Sequence, residues 1–439
     1  MFKRGIATFT LDYGQCPKWL FERMVKLGRE MARVIVAEYG PDEFVKRIAD
    51  PVWFQALGTV LAFDWNASGL TTILTAALKE AIRGEERDLG IFICGGKGKT
   101  SLKTPEQISL FGARAELTQE KINSLEYNSR MAAKVDSSLI QDGFQIYHHS
   151  FFFSRSGVWA VVQQGMNEKN VTARRYHWFS DEANPAPIPA KLSNKSKFEN
   201  ETATPSLDVI QKESVKNWCG ARNLVVEPHS GIVSDEIING LNMTSRDSIE
   251  NQKISTELVQ GSYNTLMKDL KLLSKHQSPW RFDLPNGGRT SISRKYSTPQ
   301  SDVIAIGDKR NELVNVKLHD RDFKVLPVVA EDFTKSKYLQ KILYEVSEIK
   351  PKSYEKLLSL KGVGPKTIRA LALTAEVIYG AKPSYEDPAR YSFAHGGKDA
   401  IPYPVDRSTY DQTIRTLREL VNKMKLGYSE KNKVLGRLN

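Results

Sequence analysis

The sequence predicts an α+β protein: a mixed N-terminal domain built on an antiparallel hairpin sheet, then an all-helical C-terminal module. Three observations carry this. FQIYHHSFFFSRSGVWAVVQQGM (144–166) reads as two strands with a turn at Ser154–Gly157. From Thr334 onward the apolar spacing is helical almost without interruption. Between them, residues 181–216 are poor in apolar side chains and rich in Asn, Pro, Ser, Lys and Thr, which reads as a loop or linker. At 439 residues the chain is long enough for two or three domains. The expected units are 1–180, the linker, a mixed segment 217–333, and a helical unit 334–439.

The elements follow in order. GIATFTLDY (5–13) alternates as a strand does. In CPKWLFERMVKLGREMARVIVAEYG, Leu20, Met24, Leu27, Met31 and Ile35 form one stripe, and Gly40 can end the helix. DEFVKRIAD continues helical, and TTILTAALKEAIRG is a helix closed at Gly84. In FDWNASG, Asp64 or Asn66 suits a cap for that helix. LGIFIC is a short buried strand. TPEQI opens a helix with Thr104 as cap, Pro105 first and Gln107 three residues after the cap. ARRYHWFS is a third strand beside the hairpin. SRDSIENQKISTELVQGSYNTLMKDLKLLSK is helical with a break at Gly261. KYLQKILYEVSEI, SYEKLLSL, KTIRALALTAEVIYG and RSTYDQTIRTLRELVNKM complete the helical series.

Net charge is +12, which favours a polyanionic partner. It is uneven: residues 331–439 hold 20 Lys and Arg against 13 Asp and Glu, a net +7. A quarter of the chain thus carries over half the excess, which puts the expected polyanion contact there. The three cysteines, Cys16, Cys94 and Cys219, form no CxxC, so a zinc ribbon or iron–sulfur cluster is unsupported. Scattered thiols, no apolar leader and no run of 18 apolar residues lead to the expectation of a cytoplasmic protein with no membrane partner.

The most informative stretch is LKGVGPKTIRALAL (360–373). Gly362 and Gly364 can take backbone angles that a β-carbon forbids, Val363 can pin the turn to a core, and Pro365 suits the first turn of a helix. The N–H groups at Gly364, Lys366 and Thr367 would then face outward at a helix N-terminus, with Lys361 and Lys366 adding charge. Such a contact grips a backbone and reads no base. This stretch resembles the helix-hairpin-helix family of DNA-binding elements over about 25 residues. The resemblance makes the C-terminal unit a helix-hairpin-helix module and assigns DNA contacts to Lys361, Gly362, Gly364, Lys366, Thr367 and Arg369. It extends to base-excision DNA glycosylases, where a Val-Asp opens a following helix, as in YPVD (403–406). In bifunctional members a lysine at the position of Lys366 attacks C1′ of the deoxyribose as a Schiff base, supported by a carboxylate at the position of Asp406. The separation of Lys366 and Asp406, 40 residues, is longer than in that family. The extra loop carries Arg390, His395 and Lys398.

CGGKGKTS lacks the first glycine of a Walker loop, since Ile93 stands there, but GGKGK can form an anion nest with Lys97 and Lys99. Arg174 and Arg175 can grip phosphate or pair with acids. A metal-dependent nuclease site would use Asp142 and Gln164 as catalytic groups, with Asp142, His148 and His177 as ligands of Mg²⁺ or Mn²⁺. His148 and His149 are strand neighbours and point to opposite faces, so both cannot serve one metal without a bulge. No cofactor is otherwise called for.

CPKWLFERM, DPVWFQALG, GGKGKTSLKTPEQI, HHSFFF…WAVVQQGMN, ARRYHW and AHGGKDAIPYPVDR together resemble an uncharacterised family of heat-loving prokaryotes, a domain of unknown function. The combined expectation is a DNA-binding protein of repair or processing that cuts damaged or structured DNA, as a metal nuclease or a glycosylase/AP-lyase. The alternative is a non-enzymatic DNA- or RNA-binding protein, because aromatic strands with arginines can also stack unpaired RNA bases.

Overall fold

The computed structural model describes residues 16–61, 67–168, 171–180, 223–234, 238, 240–276, 313–316, 326–329, 332–389 and 407–436. The strand expected at 5–13, Asp64, the linker 181–216, Arg390, His395, Lys398 and Asp406 lie outside the described residues.

Helix α1 (Lys18–Tyr39) buries Met24, Met31 and Ile35 as its spacing predicts, and Gly40 ends it at φ 86°. Pro41 then starts α2 (Pro41–Ala49). Asp50 caps α3 (Pro51–Val60) through the Val52 and Trp53 N–H groups. Helix α4 (Ala67–Ala81) and the short α5 (Glu86–Leu89) lead into strand β1 (Ile91–Lys97). A 3-10 turn, Gly98–Lys103, precedes α6 (Thr104–Arg114). The expected capping box does not form: Gln107 Oε1 accepts instead from the Gly95 N–H, at 2.9 Å, and from Lys79 Nζ, at 2.8 Å.

Helix α7 (Gln119–Ser138) is followed by β2 (Ile140–Gln141), β3 (Gln145–Ser154), β4 (Trp159–Asn167) and β5 (Thr172–Phe179). Strands β6 (His229–Val233) and β7 (Leu241–Asn242) come from the segment left unassigned by sequence. The main sheet is antiparallel throughout, in the order β1-β3-β4-β5-β6, while β2 pairs with β7. Strands β8 (Leu313–Val316) and β9 (Leu326–Val329) form a separate pair.

Helices α8 (Ile249–Gln260) and α9 (Tyr263–His276) are separated at Gly261 as expected. The C-terminal series is α10 (Lys337–Ile349), α11 (Tyr354–Ser359), α12 (Pro365–Tyr379), α13 (Arg407–Lys423) and α14 (Tyr428–Leu435). No helix among the described residues is long and apolar enough to cross a membrane.

Both faces of the sheet are covered. Phe92, Cys94, Phe151, Phe153, Trp159, Val161 and Trp178 face a core shared with α6 to α12. Ile91, Ile93, Phe152, Ala160, Val162 and Phe179 face a second core shared with α1 to α4, α13 and α14. This corrects the expected division at residue 334: Leu357, Leu358, Val363, Ile368 and Leu371 belong to the same core as the sheet. The join is also polar. Lys134 Nζ of α7 donates to the Leu358 and Leu360 carbonyls at 2.6 and 2.5 Å, and Tyr127 Oη to Glu355 at 2.6 Å. Asn251 Nδ2 of α8 donates to the carbonyls of Ala372 and Ala381. The expected break at 180 fails likewise, because β6 completes the sheet from beyond it.

Candidate nucleic-acid interface and the polar end of the sheet

The turn between α11 and α12 is built by its glycines. Gly362 has φ 85°, and a Cβ there would lie 2.2 Å from Ile342 Cδ1, so a side chain is excluded both by backbone angle and by contact. Val363 is buried and fastens the turn to the core. Gly364 is extended, at φ −148°, and a Cβ there would meet nothing within 4 Å. Pro365 follows in the first turn of α12, and no side chain caps the helix start. First-turn N–H groups have no partner within a helix. Lys361 is exposed and Lys366 half-buried beside them.

Two expected contacts are corrected. The Thr367 side chain is buried, so only its backbone stands at the helix start. Arg369 is half-buried and its Nε donates to Gln141 Oε1 at 2.9 Å. Gln141 Nε2 in turn donates to the Pro365 carbonyl at 2.9 Å, so β2 braces the first turn of α12.

The neighbouring residue, Asp142, opens the second region. The sheet end formed by the start of β3, the end of β4 and the start of β5 is polar on both faces. Register explains the sorting, because residues directly opposite across strands share a face. His149, Gln163 and Tyr176 are one cross-strand row; Lys97, His148, Gln164 and Arg175 are the next, on the opposite face.

On the first face, Arg174 Nη1 donates to Asp142 Oδ2 at 2.7 Å and to Asp387 Oδ1 at 2.9 Å, and Nη2 donates to Asp387 Oδ2 at 2.8 Å. Asp142 also accepts from Tyr176 Oη at 3.1 Å and the Phe144 N–H at 3.1 Å. Burial opposes the Arg174 charge, but the two carboxylates outweigh it and hold its pKa above the ordinary value. Arg174 is fully buried, at 0 % exposure.

A second chain of bonds runs beside it. Gln163 Nε2 donates to Asp136 Oδ2 at 2.6 Å, so Gln163 Oε1 must accept the Nδ1 proton of His149, at 2.9 Å. His149 Nε2 then accepts from the Ser129 hydroxyl at 2.8 Å. Trp178 Nε1 donates to Asp136 Oδ2 at 3.0 Å, and His229 Nε2 meets Oδ1 at 2.5 Å. Burial lowers the His149 pKa, with Gln163 opposing, which keeps the ring neutral as this tautomer requires. Ser129 and Asp136 are both buried on the packed stripe of α7, so the chain holds that helix to the sheet.

On the opposite face, Thr75 Oγ1 and Ser150 Oγ each lie 3.1 Å from His148 Nε2. Gln164 Nε2 donates to the Ser68 carbonyl at 3.0 Å and to Tyr147 Oη. Arg175 reaches Thr71 Oγ1 at 3.2 Å and Gln55 Oε1 at 3.3 Å, with Cζ 4.9 Å from the Phe54 ring centre. His177 Nδ1 meets the Ile48 carbonyl at 3.1 Å. Burial alone drives Arg175 down to about 9 and, with smaller help from His149 and Lys97, His148 down to about 3.

The expected metal set is therefore divided. Asp142 belongs to the face of Arg174 and Tyr176, whereas His148, Gln164 and His177 belong to the other. Among the described residues no group of three or more His, Cys, Asp or Glu is arranged to hold a metal ion. Arg174 and Arg175 are both buried at 0 % exposure, which removes them from phosphate contact; Arg174 takes the other expected role, pairing with acids. The GGKGK nest is corrected in part. The Gly95 N–H is taken by Gln107, and a Cβ at Gly95 would lie 2.2 Å from the His149 carbonyl, so that glycine serves packing. Lys97 and Lys99 are exposed, with Lys97 Nζ 5.9 Å from the Tyr147 ring centre.

Sequence reasoning missed Ser129, Asp136, His229 and Asp387. For the first two a signal existed: with Ile122, Leu125, Ala132 and Val135 they lie on the buried side of α7, two polar residues among apolar ones.

Comparison with known proteins identifies the family. Residues 5–218 and 215–405 match the family described as "Protein of unknown function (DUF763)", which covers most of the chain, and the protein belongs to it. No curated protein and no solved structure matches.

Proposed function

We propose that the protein binds the sugar–phosphate backbone of DNA through the turn Lys361–Gly364 and the first turn of α12, and that it acts in DNA repair or processing. The supporting observation is the turn itself. Gly362 is forced left-handed over Ile342, Val363 is anchored in the core, and Gly364 is open ahead of an uncapped helix start. A helix start with no side-chain cap, set beside lysines, suits a phosphate oxygen. The regional excess of +7 and the resemblance to the helix-hairpin-helix element agree with this.

Of the two cleavage chemistries expected from sequence, the lyase reading rests on Lys366, which lies in the first turn of α12. The nuclease reading loses its constellation, because Asp142 and Gln164 lie on opposite faces. Its Asp142 oxygens are already bonded to Arg174, Tyr176 and Phe144.

The test incubates the protein with end-labelled intact, abasic and damaged duplexes over a salt series, with borohydride added to one set. Affinity should fall by roughly one log unit per log unit of salt for each phosphate neutralised. A flat salt response refutes the backbone grip. A borohydride-trapped adduct that disappears in Lys366→Ala establishes the lyase, whereas salt-sensitive binding with no product leaves a non-enzymatic DNA-binding protein.

A further inference from the structure

Tyr338 is an aromatic residue that the backbone grip does not use. It stands in the first turn of α10 with 65 % of its surface exposed. Its hydroxyl lies 3.3 Å from the position a Gly362 Cβ would occupy, and Ile342, one helical turn further along α10, forms the floor under the same glycine. The ring therefore lies beside the turn while most of its surface faces solvent. Lys335, Lys337, Lys341 and Lys361 around it are all exposed. Of the acids on this face, Asp332 pairs with Lys335 at 3.3 Å and Glu345 approaches Lys341 at 3.8 Å.

An uninterrupted duplex offers such a ring little, because its bases are stacked face to face and present only their edges in the grooves. An unpaired base next to the gripped phosphates does offer a complementary π-face, and aromatic rings beside cationic tracks are how proteins hold single strands. Resting on the DNA-backbone reading above, we infer that Tyr338 stacks on an unpaired base and that the preferred substrate is DNA interrupted at the grip: gapped, frayed or carrying a single-stranded overhang.

The experiment measures fluorescence anisotropy at one salt concentration. The probes are a blunt duplex, the same duplex with a one-nucleotide gap, the same duplex with an overhang, and a single-stranded RNA. The full chain should bind the gapped and overhang probes about tenfold tighter than the blunt duplex. Tyr338→Ala should abolish that difference while leaving blunt-duplex affinity unchanged, and Tyr338→Phe should preserve it. Equal wild-type affinity for all DNA probes overturns the inference, as does an equal loss on every probe in Tyr338→Ala. Tightest binding to the RNA overturns the choice of DNA. Gly364→Asp separates the two levels. If it weakens binding to every probe while wild-type shows no preference, only the stacking inference fails; if it changes nothing, the backbone grip fails as well.

Discussion

The polar end of the sheet and the turn at Lys361–Gly364 both carry charged side chains and treat them in opposite ways. At the polar end of the sheet and against it, Asp136, Asp142, His148, His149, Arg174, Arg175 and His177 are all buried. Their charges are neutralised by a partner, as in Arg174 between two carboxylates, or weakened by burial, as in His148 and Arg175. At the turn, Lys361 is exposed and Gly364 opens onto free space. The lesson is that chemistry-bearing residue types serve structure where they are enclosed and paired, as Arg174 is between Asp142 and Asp387.

The largest expected effect tests the first half of that contrast. Arg174→Ala leaves Asp142 and Asp387 buried without their shared cation, which should cost about 3–5 kcal/mol of stability. Urea denaturation measures it. A loss below about 1 kcal/mol, the scale of an exposed pair, would show that the network is not the enclosed clamp described.

Acid gives a graded version of the same test. His148 is held down to about 3, and His149 and His177 are also lowered by burial. The unfolded chain takes up these protons from about pH 6.5 downward, whereas the folded chain resists them. The stability they support is therefore complete above about pH 6.5 and is lost as pH falls toward 3, by up to about 1.4 kcal/mol per pH unit for each histidine. Thermal melts between neutral pH and pH 5 should shift down steeply. His148→Gln should flatten the slope; an unchanged slope would place His148 in contact with water.

The contrast also shows what a sequence can and cannot carry. The turn at 361–364 was legible because its chemistry is local: a left-handed glycine, an anchoring valine and a helix-starting proline lie within four consecutive residues. The helices were legible for the same reason, from α1 through the break at Gly261 to α12. For Arg174 and Arg175 the strand alone does not decide between gripping phosphate and pairing with acids, because antiparallel sheets commonly keep one face wet. Here α2 and α4 pack across the second face, where Arg175 lies, and nothing within the strand records that. The pairing of Arg174 with Asp387 spans 213 residues, beyond any periodicity. Asp136 was legible in principle, as a polar residue on an apolar stripe, once α7 is recognised as a helix.

The measurement that bears most directly on the central claim is duplex-DNA affinity in Gly364→Asp, read beside its stability. The residue has an extended backbone and no neighbour within 4 Å of an added Cβ, so the fold should accept the change within about 0.5 kcal/mol. A carboxylate at that point faces the expected phosphate, so affinity should fall at least about tenfold. Unchanged affinity in a fully folded variant would contradict the account, because it would mean that DNA does not approach the open turn.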